Sequence, residues 1–373
     1  MTTSLPKILL TCVMILQLVS LATVRGQDTD VKPVRLAVAG TTHGHVGWIL
    51  GRKNKSDIEL VGVYESNKEL TAQQAKRFNL PDKLFYTDLE KMLDAVKPEA
   101  VVAFGSIYQH MAVVEACAPR GIHVMVEKPL AVSKEHVERM AALAKKYGIL
   151  LLTNYETSWY PTTVKSFELL NDSNAIGQLR KAVFHHGHEG PKEIGVGPEF
   201  LEWLTDPVQN GGGALIDFGC YGANLMTYLT KGERPISVTA VTRQFKPAIY
   251  PKVDDEATII VSYPSSQAII EASWNWPFGR KDMALYGKDG YIITKDNKEY
   301  AIRKYKSNVE QKIVTDKDVL VYTDPFSYFA DVIRKKIKVE PYGVYSLENN
   351  VMVVKILDAA RQSAKEGKTI LIK

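Results

Sequence analysis

The chain has 373 residues, 45% hydrophobic and 24% charged, with 47 basic against 42 acidic side chains and a net charge of +5. That length and apolar fraction describe an ordinary globular protein of enzyme size, with enough material for two domains with substantial cores. The basic excess is too small and too dispersed for a nucleic-acid partner.

The first 26 residues differ from the rest. Lys7 precedes an apolar stretch that carries no charge until Arg25, and Val24-Arg25-Gly26 offers small residues for cleavage before Gln27. Residues 1–26 are read as a secretory signal peptide, which places the mature protein in the periplasm or outside the cell, with no stable membrane insertion after cleavage. As a membrane anchor the stretch is short, 17 residues with Gln17 inside it. Cys12 is followed by too much apolar sequence for a lipoprotein signal, and Cys117 with Cys220 imply no disulfide framework.

Val34 to Gly40 reads as a strand, and Thr41-Thr42-His43-Gly44-His45 as a turn entering a helix, where backbone N–H groups suit a pyrophosphate. Of the G-x-G-x-x-G pattern only Gly40 is in place, with Thr42 and His45 at the other glycine positions and Gly44 displaced. His43 and His45 are read as loop or ligand-contact residues rather than metal ligands, and no metal is expected. The second strand, from Ile58, ends at Glu65, where a carboxylate can accept hydrogen bonds from an adenosine ribose. No arginine follows at once, so NAD is preferred over NADP, although Lys68 lies near.

Helices near 70–78 and 88–96 and a strand over 100–105 come next. Ser106 to His110 begins a further helix, closed by Gly121. The run Ile122 to Val126 then leads into Glu127-Lys128-Pro129, a strand delivering a lysine to the carboxyl edge of a parallel sheet, where such sheets bind ligands. For the tripeptide alone, a solvated Glu-Lys pair is an equal reading. Ser133 caps a helix over 134–147, Gly148 stops it, and 149–154 is the last strand. The alternation predicts a doubly wound parallel α/β domain over 33–155.

Over 156–373 the rhythm changes. After a helix over 162–170, the strand candidates are 179–186, 236–245, 257–263, 268–276, 283–286, 291–294 and 300–305, and helices follow over 325–335 and 346–365. Pro264-Ser-Ser-Gln is a hairpin signal. This is an α+β domain with a large, mainly antiparallel open sheet that can cover the cofactor face. Within it Gly211-Gly-Gly-Ala-Leu-Ile-Asp217-Phe-Gly-Cys-Tyr221 lets the backbone turn tightly and approach a ligand, then places a carboxylate and a phenol four apart on one helix face.

The glycine turn, Glu127-Lys128-Pro129 and Gly211-Gly-Gly-x-x-x-Asp217-x-Gly-x-Tyr221-x-x-Asn224 resemble, in order and spacing, the glucose-fructose oxidoreductase/inositol dehydrogenase/MocA (Gfo/Idh/MocA) family. Many members carry histidine at the position of Tyr221, and Gly105-Ser106-Ile107 stands where a Thr-Pro pair is common. The resemblance implies an NAD(P)-dependent oxidoreductase that interconverts a carbohydrate hydroxyl and a ketone. Tyr221 would exchange the hydroxyl proton, Lys128 would lower its pKa and polarise the substrate oxygen, and Asp217 would orient the lysine or a neighbouring sugar hydroxyl. Cofactor contacts would come from Gly40, Thr41, Thr42, His43, Gly44, His45, Glu65, Ser106, His110, Glu127 and Lys128. In the segments expected to face the nicotinamide, His185, His186, His188, Trp203, Asp206, Trp274, Trp276 and Arg280 offer aromatic platforms and hydrogen-bonding groups for a sugar. An exported enzyme of this kind is expected to hold its cofactor tightly and to self-associate, if at all, through the second-domain sheet. Two alternatives stand beside it: a lyase that breaks a glycosidic bond through transient oxidation, and a non-catalytic sugar- or nucleotide-binding protein.

Overall fold

Two sheets organise the computed structural model, which describes residues 32–53, 55–315, 319, 321–322 and 324–372. The leader over 1–26 lies outside these residues. The first sheet holds β1 (Val34–Ala39), β2 (Ile58–Tyr64), β3 (Phe85–Tyr86), β4 (Ala100–Ala103), β5 (His123–Glu127) and β6 (Leu151–Asn154). Every pairing is parallel and the spatial order is 3-2-1-4-5-6, so the order reverses between β1 and β4 and opens a crevice at their carboxyl ends. Strands β1, β4, β5 and β6 are buried on both faces, as their near-continuous apolar runs require.

Helix ends follow local chemistry. Ser133 Oγ accepts from the His136 N–H at 3.3 Å to open Lys134–Tyr147, and Gly148 closes it at φ 66°. Val137, Met140 and Ala144, at helical spacing, face the core. Two predicted helices are irregular. Ser106 to His110 opens as a 3-10 turn before Cys117 ends the α-helix, and the helix from Pro161 becomes a π-turn over Glu168–Asp172.

The second sheet contains β7 (Leu179–Gly187), β8 (Ser237–Arg243), β9 (Glu256–Ser262), β10 (Gln267–Ser273), β11 (Arg280–Gly287), β12 (Gly290–Thr294), β13 (Glu299–Lys304), β14 (Gln311–Val314) and β15 (Ile370–Leu371). Its order is 14-13-12-11-7-10-9-8-15, antiparallel except for β7 against β10. Pro264 opens the expected hairpin, closed by Tyr263 N–H to Ser266 O at 2.9 Å. β3, β14, β15 and the helix Pro198–Leu204 went unread in the sequence; the strands are too short for a period-two pattern to declare itself.

Residues 33–373 form one compact unit. The helix Leu347–Glu366 explains part of this, since Val354 packs in the core of the first sheet while Val353, Ile356 and Leu357 pack in that of the second. Phe326, Tyr328 and Phe329, from the helix Pro325–Ile333, return to the first sheet beside Leu36 and Val102. No described helix is long and apolar enough to cross a membrane.

Candidate active site

At the crevice between β1 and β4, Gly40 turns the chain at φ 81°, and a Cβ there would lie 2.7 Å from the Gly105 nitrogen. Only glycine lets the two strand exits approach so closely. They border a groove of about 490 Å³ lined by Gly40, Thr42, Glu65, Ser106, Gln109 and Trp203, among others. Glu65 accepts from Thr41 N–H (2.9 Å), Thr41 Oγ1 (2.8 Å) and Asn67 N–H (2.9 Å), so the carboxylate that faces the groove also braces the turn. Lys68 is exposed and does not line the groove.

Beneath the turn, His43, His45 and Glu127 each bring one donor atom within 4.8 Å of the others. These donors already serve one another. His43 Nδ1 accepts from the His45 N–H at 3.1 Å, and His45 Nδ1 lies 3.2 Å from Glu127 Oε2. Glu127 Oε1 accepts from Asn154 at 2.7 Å. Burial opposes the Glu127 charge, but His45, His43 and Asn154 hold its pKa down at about 2. His43 is driven well below the usual histidine value, first by burial and then by His45, and so stays neutral.

The next step along β5 brings Lys128, whose ammonium donates to the Asp217 carboxylate and, at 3.1 Å, to the Asp217 carbonyl. The second carboxylate oxygen accepts from the Trp274 indole at 2.9 Å. Both charges are nearly inaccessible, with Lys128 8% and Asp217 5% exposed. Burial works against each, yet the pairing wins: Lys128 is raised and Asp217 lowered, so the ion pair persists. Lys128 Nζ also stands 5.2 Å from the Tyr221 ring centre and 5.9 Å from that of Phe218.

Tyr221, 2% exposed, is boxed by rings: Tyr155 edge-on at 5.5 Å, His186 stacked at 5.4 Å and Phe218 at 6.0 Å. A second ammonium, Lys281, sits 5.1 Å from its ring centre and is paired with Glu156. These two line a cavity of about 720 Å³ with Tyr160, His188, Phe278, Arg280 and Asp282. Lys281 and Glu156 escaped the sequence reading, although Glu156 lies two residues past β6, as Lys128 lies one past β5, and Lys281 stands opposite His186 in the β7–β11 register.

Several expectations are corrected. Lys128 does not bring the Tyr221 pKa below the usual phenol value; burial, followed by Glu156, Cys220 and Asp217, raises it well above that value. Asp217 and Tyr221 do not share a helix face, because Phe218 separates the short turn Ala214–Asp217 from the helix Gly219–Leu229. The triple glycine serves the chain's own packing: a Cβ on Gly213 would fall 1.8 Å from the Asp254 carbonyl oxygen. His110 lies wholly inside, its Nδ1 3.2 Å from Leu130 O and its pKa lowered by burial to about 4, away from the groove.

The sugar-facing set also divides. Trp274 is fully buried and orients Asp217. Trp203 belongs to the groove, donating to Thr42 Oγ1 at 3.0 Å. Because a strand alternates, His185 and His186 face opposite ways. His186 packs on Tyr221, its pKa pushed by burial to about 3, whereas His185 turns away to Asp282 (3.0 Å) and Glu271 (3.6 Å). Trp276 carries the Arg280 guanidinium at 5.6 Å, and His188 is edge-on to Phe218 at 4.9 Å.

A doubly wound sheet with an acidic residue after β2, and a buried Lys–Asp pair beside a tyrosine, define a dinucleotide-dependent oxidoreductase. The sequence comparisons agree: the oxidoreductase family with NAD-binding Rossmann fold matches residues 34–155, and the GFO/IDH/MocA C-terminal domain matches residues 167–293. The chain belongs to the Gfo/Idh/MocA oxidoreductase family. It is 27% identical over 320 residues to trans-1,2-dihydrobenzene-1,2-diol dehydrogenase of Xenopus tropicalis, covering 82% of this chain and 90% of that protein. Among solved structures it resembles the aldose-aldose oxidoreductase of Caulobacter crescentus complexed with glycerol (TM-score 0.75, 20% identity, 91% of this chain and 100% of that one). It also resembles an inositol dehydrogenase homolog of Azotobacter vinelandii complexed with NADH and myo-inositol (TM-score 0.77, 15% identity, 92% and 98%).

Proposed function

We propose that the protein oxidises a hydroxyl of a sugar or related cyclic polyol to a ketone, or runs the reverse, with NAD preferred over NADP. The observation that carries this reading is the buried Lys128–Asp217 pair set against the Tyr221 ring. The groove beside Gly40 fits a dinucleotide: its turn tolerates no Cβ, and Glu65 faces it, with Lys252 the one basic residue among its described lining. Gly40, Thr42, Glu65, Ser106 and Gln109 would hold the cofactor, which supplies the hydride acceptor. Similarity to a diol dehydrogenase and to structures complexed with glycerol and myo-inositol supports hydroxylated substrates.

In this reading Lys128 donates to the substrate oxygen and stabilises negative charge there, held in register by Asp217, which Trp274 fixes from behind. Tyr221, protonated by virtue of its burial, gives a proton to the oxygen during reduction and takes one back during oxidation. The test is single-turnover reduction of bound NAD by glucose, levoglucosan and myo-inositol. Tyr221→Phe is expected to slow it on the order of 100-fold, since general acid-base catalysis contributes roughly 10²–10⁴. Near-normal rates in that variant would remove Tyr221 from proton transfer.

The apolar leader supports export, and an exported enzyme without a nicotinamide pool retains its cofactor, so NAD(H) is expected to co-purify with a mature protein beginning near Gln27. A nucleotide-free protein bearing an intact Met1–Gly26 segment would reverse both statements. Self-association through the open face of the second sheet belongs to the same proposal.

A further inference from the structure

We propose that Lys281 and Glu156 together set the proton affinity of Tyr221, as positioning residues on the cavity side of its ring. This rests on the reading of Tyr221 as the proton-exchanging group. Two ammonium groups stand almost equally near that ring, Lys281 at 5.1 Å and Lys128 at 5.2 Å, but their settings differ. Lys128 is locked by two contacts to Asp217, itself tied to Trp274. Among the described residues Lys281 pairs with Glu156 alone, and both border the open cavity. Glu156 is steadied by the Tyr160 hydroxyl, which donates to it at 2.6 Å.

The chemistry calls for such a pair. When a carbinol is oxidised its O–H bond breaks, and a neutral tyrosine can accept that proton only as its own phenolic proton departs to another acceptor. Lys128 and Lys281 are cations and cannot receive it. His186 is stacked on the ring, with both its nitrogens unpartnered among the described groups. Lys281 and Glu156 border the cavity and so stand between the Tyr221 ring and solvent, the proton's final acceptor in this proposal, and the balance of those two charges governs how readily Tyr221 releases it.

The groups facing Tyr221 are Lys128 after β5, Asp217 and Cys220 on its own segment, His186 on β7, Lys281 on β11, and Tyr155 and Glu156 after β6. Glu127 also acts on Tyr221 by charge, and His45 and Tyr160 act on Glu156. Among these, Lys281 and Glu156 carry opposite charges, and opposite effects are expected of them. Lys281→Met removes a cation and is expected to move the pH–rate profile of NAD reduction upward by about one unit, which slows oxidation roughly 10-fold at a fixed pH below the apparent pKa. Glu156→Gln removes an anion and is expected to move the same profile downward. Lys281→Arg restores the wild-type profile.

A second measurement needs no substrate. In nucleotide-free protein labelled with ε-¹³C lysine, the Lys281 resonance, assigned by its loss in Lys281→Arg, is expected to show a ring-current shift that vanishes in Tyr221→Leu. Both profile shifts in the stated directions, with that ring-current shift, support the inference. Profiles that stay in place while only KM changes would make Lys281 and Glu156 substrate-binding residues and overturn it, as would shifts of one sign. If Tyr221→Phe is slow while both variants keep the wild-type profile, this inference fails alone. If Tyr221→Phe is unaffected, or no polyol of the panel reduces NAD, the underlying reading fails with it.

Discussion

Replacing Asp217 by asparagine leaves the Lys128 ammonium buried without its hydrogen-bonded carboxylate, at nearly constant side-chain volume. Removing one member of a buried ion pair costs about 3–5 kcal/mol. An upper bound follows from letting the lysine lose its proton instead. From its ordinary value of 10.5, deprotonation at pH 7 spans 3.5 units, about 5 kcal/mol at 1.36 kcal/mol per unit. At pH 9 the interval is 1.5 units, and the bound falls to about 2 kcal/mol. In the wild type the folded Lys128 pKa is raised, so its contribution is complete below 10.5 and is lost only as pH climbs through the folded value. Asp217→Asn is therefore expected to be destabilised by roughly 3–5 kcal/mol at pH 7 and to recover toward wild type by pH 9. Urea unfolding followed by tryptophan fluorescence at the two pH values measures both quantities. The double variant Lys128→Met/Asp217→Asn removes both charges and is expected to regain most of the loss while staying inactive. A deficit under about 1 kcal/mol at pH 7, or one that does not shrink with pH, would refute the reasoning.

Glu65→Ala is expected to weaken NAD binding more than NADP binding in calorimetric titration, and equal losses would show that Glu65 only braces the Thr41 turn. His110 and His186 are buried and neutral, with pKa values near 4 and 3 against an ordinary 6.5. Their folded values are depressed, so the stability they protect is intact above pH 6.5 and is lost as pH falls toward them. For His110 the 2.5-unit interval corresponds to about 3 kcal/mol, and unfolding free energy measured from pH 7 to 4 is expected to fall less steeply in His110→Leu.

Local chemistry was enough for much of this chain. The alternation of apolar runs with capped helices announced the parallel sheet, because Ser133, Gly121 and Gly148 act through their own backbone neighbourhood. Lys128, Asp217 and Tyr221 were legible as a set only through their motif spacing, and the structure does bring them together. Their electrostatics were not legible. Whether an ammonium lowers a phenol's pKa depends on what else touches both groups, and here Asp217 occupies Lys128 while burial dominates Tyr221.

Tertiary structure alone decided the rest. His185 and His186 are neighbours in sequence, yet pairing of β7 with β10 and β11 sends one to Asp282 and the other to Tyr221. Trp274 reads as a sugar platform until β10 carries it under Asp217. Glu156 and Lys281, 125 positions apart, meet because the first sheet ends where the second begins to cover it. The sequence by itself determined the strands, their caps and the order of the motifs, since each is governed by interactions among near neighbours. Which side chains point inward, and which charges share a cavity, came from the packing of one sheet against the other, through contacts that no local spacing encodes.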